Sequence, residues 1–149
     1  MTDLDADFAD LLADSHARLV GESLVPECLR GAEAAAWLYD APFGLLAHDM
    51  SPDPVFVYAN RTAQERFGYD WDEFLGLPSR LSAESQDRQT RQALMDAVRR
   101  QGYADDYRGL RVTKSGRRFW IEGVTIWNLV GPDGEPAGQA ALIRRWAEA

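Results

Sequence analysis

The chain has 149 residues, and its hydrophobic share of 46% is enough for one globular unit with a single core. Its 24 acidic and 16 basic side chains give a formal net charge of -8, which argues against a nucleic-acid or anionic-membrane binder. Cys28 is the single cysteine, so no internal disulfide can form, and no apolar run approaches the ~18 residues that cross a bilayer. We therefore expect a cytoplasmic protein.

The chain begins with an amphipathic helix, predicted from Asp3 to Val20. A second helical stretch runs from Glu33 to Tyr39 and stops before Pro42. We predict that residues 1–40 form an N-terminal helical extension. Its apolar stripe must be buried, either on the main domain or on a second copy of the chain; the stripe comprises Leu4, Phe8, Leu11, Leu12 and Leu19.

A β-hairpin and two short helices are predicted next. The strands are Gly44–Asp49 and Val55–Ala59, separated by a turn rich in proline and aspartate. Asn60 has the chemistry of a helix cap, and Asp70 with Glu73 has the spacing of a capping box for the second helix.

The sequence from residue 84 onward predicts a long helix followed by three strands. The helix covers Glu84–Gln101, and short glycine-containing turns separate the strands, which are Tyr103–Thr113, Arg117–Leu129 and Ala137–Trp146. Because short turns join antiparallel neighbours, residues 41–149 predict an α+β domain, a five-stranded antiparallel sheet with helices over one face.

Strand alternation assigns the side chains of the fourth strand to two faces. Ile121 and Thr125 fall on one face, and Trp120, Val124 and Ile126 fall on the other. Because the second face is also apolar, it needs a cover. We expect the N-terminal helix or a second copy to supply it, through a surface comprising Leu4, Phe8, Leu11, Leu12, Trp120, Val124 and Ile126.

Several motifs resemble a known family. "VFVYANRTAQERFGYDWDEFLG" resembles the opening of a PAS domain, and "KSGRRFW" with "GQAALI" resembles its last two strands. Within PAS, "LYDAPFGLLAHD", "LPSRLSAES" and "GLRVTKSGRRF" resemble the MEKHLA domain of plant homeodomain factors and small bacterial proteins. The resemblance covers about residues 37–143 and implies a sensor-like fold whose relatives use N-terminal helices as dimer contacts. No output module is recognisable, so we expect the sensor-like piece alone.

Resemblance to flavin-binding light-oxygen-voltage domains implies the residues that face a ligand. They are Leu46, His48, Ser79, Arg80, Arg111, Ile121, Thr125 and Ile143. Ser79 stands where those domains carry the cysteine of the flavin adduct, and a hydroxyl cannot replace thiol chemistry. Arg111, Ile121 and Ile143 stand in place of the amides that read the flavin ring. Haem-type PAS domains place a histidine on the long helix, and residues 84–101 have none. We therefore do not expect a flavin or a haem, and a flavin- or haem-binding sensor is kept only as a further alternative.

Arg111 is the sharpest clue to a ligand. A buried guanidinium needs an anionic partner, because an unpaired buried charge is very costly. One hypothesis is a small anionic ligand held by Arg111 with His48 and Arg80. The alternative is an internal pair with Asp49 or Glu84, or a surface arginine whose head reaches water.

Catalytic and metal sites are not indicated. His48 and Asp49 are adjacent on a strand and point to opposite faces, so they cannot form a triad with Ser79. The histidine and cysteine spacings match no metal site. We expect a non-enzymatic homodimer that binds a small molecule and signals through dimer or partner contacts, without nucleic acid or membrane. The alternative is a ligand-free protein-interaction module.

Overall fold

The computed structural model describes residues 6–83 and 88–149. Two α-helices precede the first hairpin, three α-helices follow it, and four strands complete the described chain. In order the elements are α1 (Ala6–Leu19), α2 (Gly31–Tyr39), β1 (Gly44–His48), β2 (Phe56–Ala59), α3 (Arg61–Phe67), α4 (Trp71–Phe74), α5 (Arg88–Gln101), β3 (Tyr103–Val112), β4 (Arg118–Val130), β5 (Pro136–Ile143) and β6 (Arg145–Glu148).

The strands form one antiparallel sheet in the order β2-β1-β5-β4-β3. The predicted last strand is divided, because β5 ends at Ile143 and β6 begins at Arg145. β5 pairs with the second half of β4, and β6 pairs with its first half. The α+β class is confirmed, with six strands in place of the five predicted.

Asn60 caps α3 as predicted and also joins three elements. Its side-chain oxygen accepts hydrogen bonds from the amides of Ala63 (3.1 Å) and Leu45 (3.0 Å). Its side-chain nitrogen donates to the carbonyls of Leu38 (3.0 Å) and Phe43 (2.9 Å). The residue is fully buried. One amide therefore holds the end of α2, the start of β1 and the start of α3 together.

The capping box of α4 is also present. The amide of Glu73 donates to the Asp70 carboxylate (2.8 Å), and the amide of Asp70 donates to the Glu73 carboxylate (3.1 Å). Two capped short helices thus follow β2 and cover one face of the sheet, together with α5. We call this face the inner face, and the opposite face, covered by α1 and α2, the outer face.

Gly123 interrupts the alternation of β4. On β3, Tyr107 and Gly109 are two residues apart, but their partners on β4, Val124 and Ile121, are three apart. The extra residue is a β-bulge, and Gly123 adopts a φ of +59° within it. Side chains before and after the bulge therefore follow opposite alternation.

The bulge overturns three of the predicted side-chain assignments. Val124 and Ile126 join Ile121 in the inner-face cluster and do not form the covered outer surface. Thr125 lies on the outer side, next to Trp127, and does not face the inner layer. The physical reason is that one inserted residue reverses which side chains of a strand share a face.

The outer face is covered by the N-terminal helices. Leu12 of α1 and Leu38 of α2 are fully buried against strand residues that include Trp127 and Leu129. Phe8 and Leu11 pack at the margin of the same cluster, whereas Leu4 lies outside the described residues. Trp120 is only half-buried; it lies under the guanidinium of Arg108, which is 3.7 Å from its ring centre. The helical extension thus lies on this domain's own sheet.

Candidate functional site

The inner face presents an apolar floor. Leu46 on β1, Ile143 on β5 and Ile121 on β4 lie in it, as the resemblance implied for these three. Val124 and Ile126 complete the β4 contribution because of the bulge. The helices opposite contribute Ala63, Phe67, Phe74 and Val98. A small molecule entering this layer would meet hydrocarbon and aromatic side chains on most sides.

One part of the inner layer is closed by packed aromatic rings. Phe67 is fully buried and contacts three rings edge to face, with centroid distances of 5.7 Å to Phe74, 5.1 Å to Phe119 and 6.3 Å to Trp146. Phe56 makes a further edge contact with Phe74 at 4.9 Å. Such contacts stabilise the layer beyond simple area burial. These rings fill part of the space between the inner face and its helices.

Arg111 is a charged residue among those predicted to face a ligand, and the sheet register places it on the inner face. It lies directly opposite Phe119, so the two side chains share a face. Its guanidinium donates to the carbonyl of Leu110 (2.9 Å) and lies 5.7 Å from the ring centre of Tyr107. The side chain is half-buried. Among the residues that the structure describes, no carboxylate pairs with it.

Of the two predicted internal partners of Arg111, the structure places Asp49. The Asp49 carboxylate accepts hydrogen bonds from the Ser51 hydroxyl (2.6 Å) and the Val55 amide (3.1 Å), which closes the β1–β2 turn. These bonds, led by the one from Ser51, hold the pKa of Asp49 below its ordinary value. Glu84 lies outside the described residues.

The other polar candidates are engaged elsewhere. Nδ1 of His48 lies 2.9 Å from the carbonyl of Asp49. Arg80 is exposed, and its guanidinium pairs with the Asp53 carboxylate at 3.2 Å. The Ser79 backbone amide donates to the carbonyl of Pro54. The predicted group of Arg111, His48 and Arg80 is therefore not brought together by these contacts.

Thr125 belongs to a polar network on the outer side. Its hydroxyl donates to the Asp105 carboxylate (2.8 Å) and accepts from the Arg144 guanidinium (2.8 Å). Arg144 also donates to the Gly123 carbonyl (2.7 Å), which ties the bulge to the bend between β5 and β6. The bond from Thr125 is the main reason that the pKa of Asp105 is lowered.

Two side chains of α1 attach it to β4. The Ser15 hydroxyl bonds both the amide and the carbonyl of Val130. His16, one turn after Leu12, packs edge to face on Trp127, with ring centres 4.8 Å apart. Burial lowers the pKa of His16 and raises that of Tyr58, which lies in the same layer.

These polar contacts of the outer layer were missed from the sequence. The available signal was the position of His16, four residues after Leu12 and hence on the predicted buried stripe of the first helix. Ser15, Asp105 and Arg144 carried no comparable signal, because their partners are more than eighteen residues away in the chain.

Metal and membrane features are limited to what the described residues show. Within residues 6–83 and 88–149, no group of three or more histidine, cysteine, aspartate or glutamate side chains is arranged to hold a metal ion. None of the described helices combines the length and apolar character needed to span a membrane.

Similar solved structures share this fold. The PAS domain of a protein from Colwellia psychrerythraea has a TM-score of 0.64, with 18% identity over 75% of this chain and 92% of its own. The light-oxygen-voltage domain of a blue-light activated histidine kinase from Erythrobacter litoralis has a TM-score of 0.58, with 21% identity over 70% and 95%. An RNA-binding light-oxygen-voltage receptor matches with a TM-score of 0.66 and 25% identity, over 83% of this chain but only 35% of the receptor.

Sequence comparison gives the family. No curated protein matches the chain significantly. The family model of the MEKHLA domain matches residues 6–148, which includes α1 and β6 as well as the sheet and its inner helices. The chain therefore belongs to the MEKHLA domain family and has the PAS-like fold of sensor domains.

Proposed function

We propose that this chain is a non-enzymatic sensor domain that holds a small molecule with an apolar body and one acidic group between its inner face and the helices α3–α5. The observation that carries the proposal is the place of Arg111, half-buried beside the apolar floor and without a carboxylate partner among the described residues. A carboxylate or phosphate on an apolar ligand would complete the hydrogen bonding of its guanidinium.

The output of the sensor is the docking of α1, and through it a contact with a second copy or another protein. Val124 and Ile126 of β4 pack in the inner layer. The residues that follow each of them, Thr125 and Trp127, face the outer side. A ligand that favours one packing of the inner residues of β4 therefore also changes the contact of α1 with the outer side of β4. The free thiol of Cys28 favours a reducing compartment such as the cytoplasm.

The proposed ligand is neither a flavin nor a substrate. Ser79 cannot form a flavin adduct, and its hydroxyl has no hydrogen bond to His48 among those of the described residues. Nδ1 of His48 bonds a backbone carbonyl, and no hydrogen bond among the described residues joins its ring to an acidic side chain. Binding alone is what the arrangement supports best.

A ligand-free interaction module is the second candidate. The edge-to-face packing of Phe67 with Phe74, Phe119 and Trp146 favours it, because these rings fill part of the layer without any guest. In that case Arg111 is a structural side chain that stacks on Tyr107. The two candidates differ in whether any small molecule stabilises the domain.

Native mass spectrometry and thermal unfolding with a series of n-alkyl carboxylates separate the candidates. We expect the parent protein to retain or bind one acidic molecule, with a melting temperature that rises with carboxylate concentration; a ligand at a hundredfold excess over its Kd stabilises by about 2.7 kcal/mol. Arg111→Leu should lose this rise. Arg117→Leu removes the same charge from an exposed turn position and should keep it. If the parent protein retains no acidic molecule and no member of the series stabilises it, the ligand-binding proposal is wrong and the interaction module is favoured.

A further inference from the structure

His16 is a buried titratable residue at the contact between α1 and the outer face of the sheet. Its side chain is 2% exposed and packs on Trp127 at an interplanar angle of 81°. Nδ1 lies 2.8 Å from the carbonyl oxygen of Glu22. A carbonyl oxygen only accepts hydrogen bonds, so Nδ1 must carry the proton. In the neutral ring, Nε2 is then unprotonated.

Nε2 of His16 has no hydrogen-bond partner among the described residues. The ring lies in the layer formed by Leu12, Ala13 and Trp127, and the indole nitrogen of Trp127 is likewise buried without a partner among those residues. A proton added to Nε2 would place a cationic N–H in this apolar layer with nothing to accept its hydrogen bond. Such an unsatisfied buried charge strongly favours separation of the packed surfaces.

The charged groups around the ring do not cancel this cost. Glu22 from the loop after α1 and Asp105 from β3 favour the cation, and Arg144 from the bend after β5 opposes it. Asp105 is already engaged by Thr125 and by the amide of Asp106. Desolvation of the ring outweighs the two acidic groups, so the pKa of His16 is lowered in the docked state.

We propose that His16 is an acid-sensitive latch: its neutral imidazole holds α1 on the outer face, and protonation at Nε2 releases the helix while the sheet stays folded. The proposal rests on the proposed function only in taking α1 as the output element. The latch itself requires no ligand in the inner layer.

The sign of the pH effect follows from linkage. The released state has an ordinary histidine pKa near 6.5 and the docked state a lower one, so the released state binds more protons between them. Docking is therefore at full strength above about pH 6.5 and weakens as the pH falls below it. The docking equilibrium constant should fall by up to about tenfold per pH unit in that window.

Amide hydrogen exchange of the full chain at pH 7.5 and pH 5.5, without added ligand, tests the latch. After correction for intrinsic rates, we expect protection in α1 to fall by up to about tenfold, while amides in the β1–β5 pairing keep theirs. NMR titration of the His16 ring should give a pKa below that of an unfolded peptide. These readouts are independent of carboxylate binding, so failure of either proposal leaves the other standing.

Two substitutions make the test specific. His16→Asn retains a donor for the Glu22 carbonyl but cannot be protonated, and it should abolish the pH dependence of α1 protection. The control is His48→Asn, because His48 is the chain's other histidine and also lies within hydrogen-bond distance of a backbone carbonyl. It should leave the dependence unchanged. The proposal would be overturned if α1 of His16→Asn lost as much protection between pH 7.5 and pH 5.5 as α1 of the parent protein. It would also be overturned if His16 of the parent protein titrated over this range while α1 stayed protected.

Discussion

The hydroxyl of Ser15 bonds both backbone groups of Val130, 115 residues further along the chain. It accepts from the Val130 amide at 2.9 Å and donates to its carbonyl at 3.3 Å. β3 begins opposite Trp127 and does not extend to this part of β4, so α1 supplies the partner that a neighbouring strand would supply. The first helix therefore completes the hydrogen bonding of the sheet edge.

Ser15→Ala should consequently destabilise the domain by about 1–3 kcal/mol, since both backbone groups of Val130, which is half-buried, lose the fully buried hydroxyl that they bond. Urea unfolding measures the change. Ser23→Ala is the control, because that hydroxyl is exposed and donates only to a carbonyl two residues away. A Ser15 variant as stable as the Ser23 variant would mean that α1 contributes packing alone.

Asn60→Asp should destabilise the fold by at least ~3 kcal/mol at pH 7. The substitution replaces a donor that faces the carbonyls of Leu38 and Phe43 with a carboxylate oxygen in a fully buried position. The loss should shrink at low pH, where the acid is protonated and can donate again. Asn128→Asp is the control, since Asn128 is half-buried and has one side-chain partner, Gln139 at 3.3 Å. Similar losses in the two variants would refute the assigned role of Asn60.

Gly138→Ala should disrupt the pairing of β5 with β1. A methyl group at Gly138 would lie 2.3 Å from the carbonyl oxygen of His48, and the φ of +140° is unfavourable for any side chain. Because the obstacle is backbone, we expect a loss of more than ~2 kcal/mol in chemical unfolding. Gly134→Ala, in the same hairpin, has open space around it and should cost about 1 kcal/mol. A cost for Gly138→Ala no greater than that of the control would contradict the close approach.

Thr125→Val should raise the pKa of Asp105 toward its ordinary value, because the Thr125 hydroxyl is the main group that lowers it. A lowered carboxyl pKa contributes stability that is present above the unfolded value, near 3.9, and is lost as the pH falls through the folded value. The valine variant should therefore lose less stability between pH 5 and pH 2 than the parent protein does. Carboxyl NMR titration and unfolding over that range measure both effects.

Thr113→Val serves as the control for Asp105, since the Thr113 hydroxyl bonds Ser115 and the amide of Arg117 at the β3–β4 turn. It should leave the Asp105 titration unchanged. An unchanged titration in Thr125→Val would show that the carboxylate is held by other groups, such as the amide of Asp106.

Local signals made much of the fold predictable. Asn60 and the Asp70–Glu73 pair correctly predicted where α3 and α4 begin, because helix capping depends on residues only three positions apart. The strand order could not be read this way, but a PAS resemblance implied the sheet, and the family comparison supports it. The break between Ile143 and Arg145 was not visible, since both sides of it are β-prone.

The site was less predictable because its geometry depends on distant contacts. A glycine inside a strand is a recognised sign of a bulge, yet the sequence does not say whether Gly123 adds a residue or only allows close approach. That uncertainty decides where Val124, Thr125 and Ile126 point. Likewise nothing local distinguishes Arg111, on the inner face, from Arg80, which pairs with Asp53 at the surface.

Trp120 and Trp127 lie seven positions apart on β4, so a regular strand would show them on opposite sides. The bulge turns both toward the outer side, one beneath Arg108 and one beneath His16. A one-residue insertion or deletion between them would exchange the contents of two hydrophobic layers at once. Such a change in the length of this stretch should therefore destabilise the domain more than most single substitutions within it.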